Sequence, residues 1–265
     1  MTNPFRITID LCQEAFNALS KEVDIPELHE QPGRAPVYRY QNQTIEIAIV
    51  QKLARLISSM NACLVLYESG MYQEMFTIMR TMDEFSEDIV FLSIAIGKDD
   101  MGVLHKKYLE EFFQEEFDNP ESPFASTQQR DRVFRRQILA VIAAMEENPV
   151  NPSDSQELHR TINNAMSGYV HGSSVHILDM YGGNPPKYHL NGMINTTRQS
   201  TALDYLWTYI YRSFLSFMIA AIKYNKTDLG KELFEFRHFY ENMWGRKEWP
   251  DAEELVSTMK KGFKL

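Results

Sequence analysis

FTIMRTMDEFSEDIVFL, residues 76–92, decides the fold. Phe76, Met79, Met82, Phe85, Ile89, Phe91 and Leu92 recur at the spacing of a helix, over a run too long for a strand. Arg80, Glu84 and Glu87 interrupt them with a polar stripe at spacings of four and three. A second stretch, LHRTINNAMSGYVHGSS at 158–174, repeats the pattern. There Arg160, Asn164, Ser167 and His171 lie among Leu158, Ile162, Met166, Tyr169 and Val170. A charge carried into a core is costly unless it is paired and hydrogen-bonded. Two such stripes predict a polar site inside a helical bundle.

Outward from these stretches the helical period is nearly continuous. Phe5, Ile9, Cys12, Phe16 and Leu19 follow Pro4 at helical spacing and predict an N-terminal helix over 4–22. Pro26, Pro32, Gly33 and Pro36 make 25–40 a long loop. Long antiparallel helices are expected over 41–68, 71–96, 153–180 and 196–225, shorter ones near 104–113 and 133–145, and terminal helices over 228–263. Ser153 with Gln156, and Thr196 with Gln199, read as capping boxes. Residues 181–195, with Gly182, Gly183, Pro185, Pro186 and Gly192, form an irregular excursion with a short extended piece at 187–190. No alternating strand, repeat or Pro/Gly/Ser-rich linker is present. The reading is all-α: a single domain over 1–265 of seven to nine helices, its bundle core at about 41–225.

The 265 residues carry a net charge of -9, which argues against general nucleic-acid binding. Cys12 and Cys63, the two cysteines, fall on apolar helical faces and read as small core residues of a reducing compartment. Asp10 and Glu14 break any secretory core, and the most apolar run, 213–222, is too short to cross a bilayer. A cytoplasmic protein without membrane contact is expected. No phosphate-binding glycine loop, nucleophile elbow or paired Cys-x-x-Cys occurs, so no nucleotide or other cofactor is expected. Glu235 and His238 form a lone Glu-x-x-His pair, where a di-iron bundle needs two, and no metal site is expected. Arg130, Arg132, Arg135 and Arg136 make the one strong basic patch, read as a solvated face or as a contact for phosphate or an acidic partner.

The candidate site is therefore His171, Arg80 and Glu84, with Glu87, Arg160, Asn164, Ser167 and Ser174 as surrounding ligand-binding groups. Within SGYVHGSS, residues 167–174, five of eight positions are Ser or Gly; small residues there let a backbone or ligand come close.

Residues 69–92, with Arg80 and Glu84, resemble the first signature helix of a bacterial domain family of unknown function that is itself similar to the HEPN-like helical bundles. Residues 166–174, with Ser167 and His171 before Gly172, resemble its second signature, and the likeness covers about 41–225. The resemblance implies an all-α bundle in which Arg80, Glu84 and His171 face one another. HEPN-like proteins act in toxin–antitoxin and phage-defence systems, as ribonucleases or as RNA- or protein-binding partners without catalysis. The ribonucleases carry Arg, four to six residues, then His; no arginine here has that spacing, and Arg160 precedes His171 by eleven. Three function classes follow: a non-catalytic RNA- or protein-binding regulatory component of a defence or stress system; a metal-independent ribonuclease using His171 as acid/base and Arg80 for charge stabilisation; and a bundle binding a small anionic ligand on Arg80. A homodimer is expected, because Tyr205, Trp207, Tyr209, Tyr211 and Phe214 put aromatic bulk on more than one face of a single helix.

Overall fold

Asn3 starts the first helix with its side chain, which accepts the Phe5 N–H at 3.0 Å, and Pro4 occupies the first turn. The computed structural model describes residues 3–30, 35–98, 100–118, 122–128, 132–144 and 166–245. In chain order these form α1 (Pro4–Leu19), β1 (Glu27–His29), β2 (Val37–Arg39), α2 (Ile45–Glu68), α3 (Tyr72–Ser93), α4 (Val103–Phe113) and α5 (Arg135–Ala143). Helical residues 166–170 follow, then α6 (Ser174–Leu178), β3 (Tyr181–Gly182), β4 (Lys187–Tyr188), α7 (Arg198–Lys223) and α8 (Thr227–Trp244). The architecture is an all-α bundle. Among the described residues its β structure is two small antiparallel pairs, Glu27↔Arg39 through His29↔Val37 and Tyr181↔Tyr188 with Gly182↔Lys187. The extended piece expected at 187–190 is present as β4, while the stretch expected to be a loop at 25–40 holds β1 and β2, three-residue strands too short to show alternation.

α3 packs on α2 and α7, while α7 also meets α1, α2 and α8. One apolar cluster joins them, from Phe5 through Leu53, Met79 and Phe217 to Tyr240. Cys12 and Cys63 lie fully inside it as free thiols, and burial raises both, Cys63 to about 12. α2 is long and apolar enough to cross a membrane; here its Leu53, Leu56, Met60 and Cys63 are fully buried among the other helices.

The helix expected over 153–180 ends earlier. The Ser173 N–H reaches Gly168 O at 2.9 Å around Gly172, whose φ of +61° closes a Schellman turn, and α6 is separate. Thr196 does not cap α7. Thr197 is the N-cap, Thr196 Oγ1 donates to Met193 O, and Gln199 accepts the Asn195 N–H instead. The Ser153 and Gln156 box lies outside the described residues. Gly70 turns α2 into α3 at φ +74°, and its carbonyl accepts the Met193 N–H at 2.8 Å, which anchors the end of the excursion to that turn.

The aromatic faces of α7 are covered from within. Trp207 meets Phe5, Tyr240 and Trp244, Tyr205 meets Phe76, and Phe214 meets Phe236. Tyr209 donates to Asp83 and Tyr211 to Glu241. The helix sits amid several neighbours, so its all-round apolarity is explained without a second chain.

Candidate functional site

The α3 stripe is a salt-bridge network. Arg80 Nη2 pairs with Glu84 Oε1 at 2.9 Å, one turn on. Asp83, between them in sequence, is fully buried; it accepts Tyr209 Oη at 2.8 Å and pairs with Arg212 Nη1 at 2.5 Å. Asp88 binds Lys52 Nζ at 2.8 Å and Arg135 Nη1 at 2.7 Å. Arg135 also lies 3.4 Å from Glu87 and 3.9 Å from Glu84. Four carboxylates, Asp83, Glu84, Glu87 and Asp88, thus meet four cations, Arg80, Lys52, Arg135 and Arg212.

That balance sets the electrostatics. Burial raises the Asp83 carboxyl above its ordinary value, although Arg212, the Tyr209 hydrogen bond and Arg80 all pull it down. For Arg135, burial opposes the charge, but Asp88, Glu87 and Glu84 outweigh it and raise its pKa. Burial first, then Asp88, raises Tyr108. Lys52 also sits over the rings of Phe85 and Phe112, 5.2 and 4.9 Å from their centres. Such a network orders α2, α3, α5 and α7 against one another. Its cations already face carboxylates, except that Arg80 Nη1 is buried without a hydrogen-bond partner.

Arg135 therefore departs from the solvated-face reading of the basic patch. Arg132 and Arg136 are exposed, and Arg136 lies over the Phe134 ring; Arg130 lies outside the described residues. Asp83, Asp88, Lys52 and Arg212 were not legible as partners. The only signal was that Asp83 and Asp88 adjoin Glu84 and Glu87 in sequence.

His171 stands elsewhere in character. It is exposed at the turn after residues 166–170, and among the described residues its side chain makes no hydrogen bond or ion pair. Its N–H donates to Ser167 O at 3.0 Å. Ser167 is half-buried, and Ser174 is exposed at the start of α6. Arg160 and Asn164 lie outside the described residues. Residues 166–178 join α3 at Gln73, whose Nε2 donates to His176 O at 2.8 Å, and at Phe76, whose ring lies 4.7 Å from that of Tyr169. No hydrogen bond or ion pair links His171 to Arg80 or Glu84 among the described residues, so the structure unites Arg80, Glu84 and Glu87 but adds no such link to His171.

The small residues of 167–174 serve an internal contact. A Cβ on Gly168 would lie 2.1 Å from the His176 ring, which packs edge-on against Tyr169 and shares a 2.6 Å hydrogen bond with Ser173. Tyr169 donates to Asp179 at 2.8 Å, and Asp179 also pairs with Arg198. Beside this pair a small pocket is lined by Tyr72, Gln73, Phe76, Asp179, Arg198 and Thr201, with space for about one water.

Residues 170–194 carry eight of the eighteen exposed large apolar side chains among the described residues, Val170 and Ile177 included. Between 166 and 197 only Asp179 and Lys187 are charged, in a chain that is 24% charged. Glu235 and His238 are exposed on α8, and among the described residues no group of three or more His, Cys, Asp and Glu could hold a metal ion. No protein-family model matches the chain, and no curated protein or solved structure matches it.

Proposed function

We propose that this chain works by binding, as a HEPN-like RNA- or protein-binding regulatory component of a cytoplasmic bacterial defence or stress system, without catalysis of its own. The observation that carries the reading is the exposed apolar excursion at 170–194. Exposed apolar side chains gathered in one segment of a folded chain mark a place where another surface docks. Charge depletion with exposed Tyr, Leu and Ile is the composition of an interface core. The α3 network supports the same reading from the other side, because cations already matched to carboxylates are poorly placed to stabilise a phosphorane-like charge. A general acid/base needs a group that orients it, and His171 has no side-chain partner among the described residues.

The test is co-expression of the tagged chain with the proteins encoded beside its gene, alongside incubation with a single-stranded RNA. A stable complex is expected, with the RNA left intact. RNA cleavage that disappears in His171→Ala would overturn the reading in favour of the metal-independent ribonuclease. One observation favours the third class, a small anionic ligand: the unpartnered Arg80 Nη1. Titration with inorganic phosphate tests it, and saturable binding lost in Arg80→Met would establish it.

A further inference from the structure

We infer that α4 is an acid-released cover over the Lys52–Asp88 ion pair, with His105 as its latch. α4 buries three of its residues, His105, Tyr108 and Leu109, so His105 is a large share of its hold. The imidazole is 7% exposed, lies flat on the Phe91 ring at 4.1 Å, and donates from Nε2 to Phe91 O at 2.9 Å. Further along the helix, the rings of Tyr108 and Phe112 stand 5.9 and 4.9 Å from Lys52 Nζ, which binds Asp88. What the latch keeps in place is thus the aromatic roof of a pair whose side chains are 12% and 4% exposed. Two polar ties lie beyond it. Glu111 accepts the Val133 N–H at 2.7 Å, and Glu115, just past the helix, pairs with Arg39.

Protonation works against this seat, because an imidazolium carries charge into a place closed to water. Burial pushes His105 below the ordinary histidine value; the Phe91 carbonyl pulls it back up, and Lys98 pushes it down again. Lys98 also weighs on the buried Lys223 at the end of α7, so cations of two elements share this corner. Asp100, in the turn before α4, is engaged by the Gly102 N–H and by Lys106 Nζ, both at 3.1 Å. These contacts hold it below the ordinary carboxylate value, and it titrates well under pH 5. Asp99 lies outside the described residues. The closed-state value of His105 therefore lies under an open-state value of about 6.5. The closed helix is favoured above that pH and loses ground as pH falls below it. α4 yields before its neighbours, since α2 and α3 bury twelve residues each and α4 three.

Amide hydrogen exchange of the full chain at about pH 7.5 and pH 5, read by mass spectrometry and corrected for intrinsic exchange rates, tests this. Protection across α4 should fall about tenfold at the lower pH, under a ceiling of roughly 30-fold set by the open-state value. Protection across α2 and α3 should hold. His105→Phe keeps a ring on Phe91 but cannot titrate, so its α4 protection should be the same at both pH values. Lys98→Met removes the like charge from an exposed position and should shrink the fall, which keeps the test if His105→Phe does not fold. Unchanged α4 protection at pH 5, an equal fall in α2 and α3, or a fall that survives both substitutions in full overturns the inference.

Discussion

Replacing Asp88 by Asn removes one charge from the centre of the network while keeping shape and an acceptor oxygen. The Asp88 side chain is 4% exposed and holds Lys52 and Arg135 together. Deleting one partner of a buried pair costs about 3–5 kcal/mol, because the opposite charge stays buried without compensation. Two features soften the loss here. Arg135 is 28% exposed and keeps Glu87 at 3.4 Å, and Lys52 keeps the Phe85 and Phe112 rings. The expected destabilisation is therefore roughly 2–4 kcal/mol. For a chain of this size that lowers the melting temperature by roughly 5–15 °C. Urea unfolding followed by circular dichroism measures it, with Glu84→Gln alongside. Glu84 is 40% exposed, so its change should cost less than about 1 kcal/mol. If Asp88→Asn unfolds within about 1 kcal/mol of wild type, the network does not hold the helices together.

The remaining expectations are narrower. Burial lowers Lys223 to about 8, so its charge weighs on the fold below that pH. Its folded pKa lies under the unfolded one, so wild type gains stability as pH rises from about 8 towards 10.5; Lys223→Met should be the more stable chain at pH 7, with the advantage vanishing across that window in urea melts. Gly168→Ala should cost roughly 1–3 kcal/mol by overpacking against the His176 ring, and much less in a His176→Ala background; equal costs in both would refute the contact. Cys12 and Cys63 should resist a thiol reagent in the native chain and both react in urea; rapid native labelling would contradict their burial.

What could be read beforehand was periodic. The apolar repeat through Met79, Phe85 and Leu92 places α3 within a few residues of its observed limits, and the same holds for α1, α2 and α7. Arg80 with Glu84 was legible because i, i+4 pairs are local. Lys52 on Asp88, Arg212 on Asp83 and Arg135 on Glu87 were not, because each joins helices far apart in sequence. Arg135 in particular read as surface because its neighbours Arg132 and Arg136 are surface. The small side chain of Gly168 signals a point of close approach, but the approaching group, His176, comes from the same chain just past the Gly172 turn that ends the helix early. The aromatic bulk of α7 suggested a second chain only because helical periodicity says which faces need covering, not which segment covers them.

The central claim is that the α3 stripe serves stability while the 170–194 excursion serves binding. The most direct measurement compares Val175→Asp with Leu190→Asp against Asp88→Asn, scoring each chain for melting temperature and for retention of the neighbour-encoded complex below that temperature. A clean separation is expected. The excursion pair keeps the wild-type melting temperature and loses the complex; Asp88→Asn melts earlier and retains it. An excursion pair that still holds the complex, with binding lost instead in Asp88→Asn at full folding, would place the working site on α3 and contradict the account.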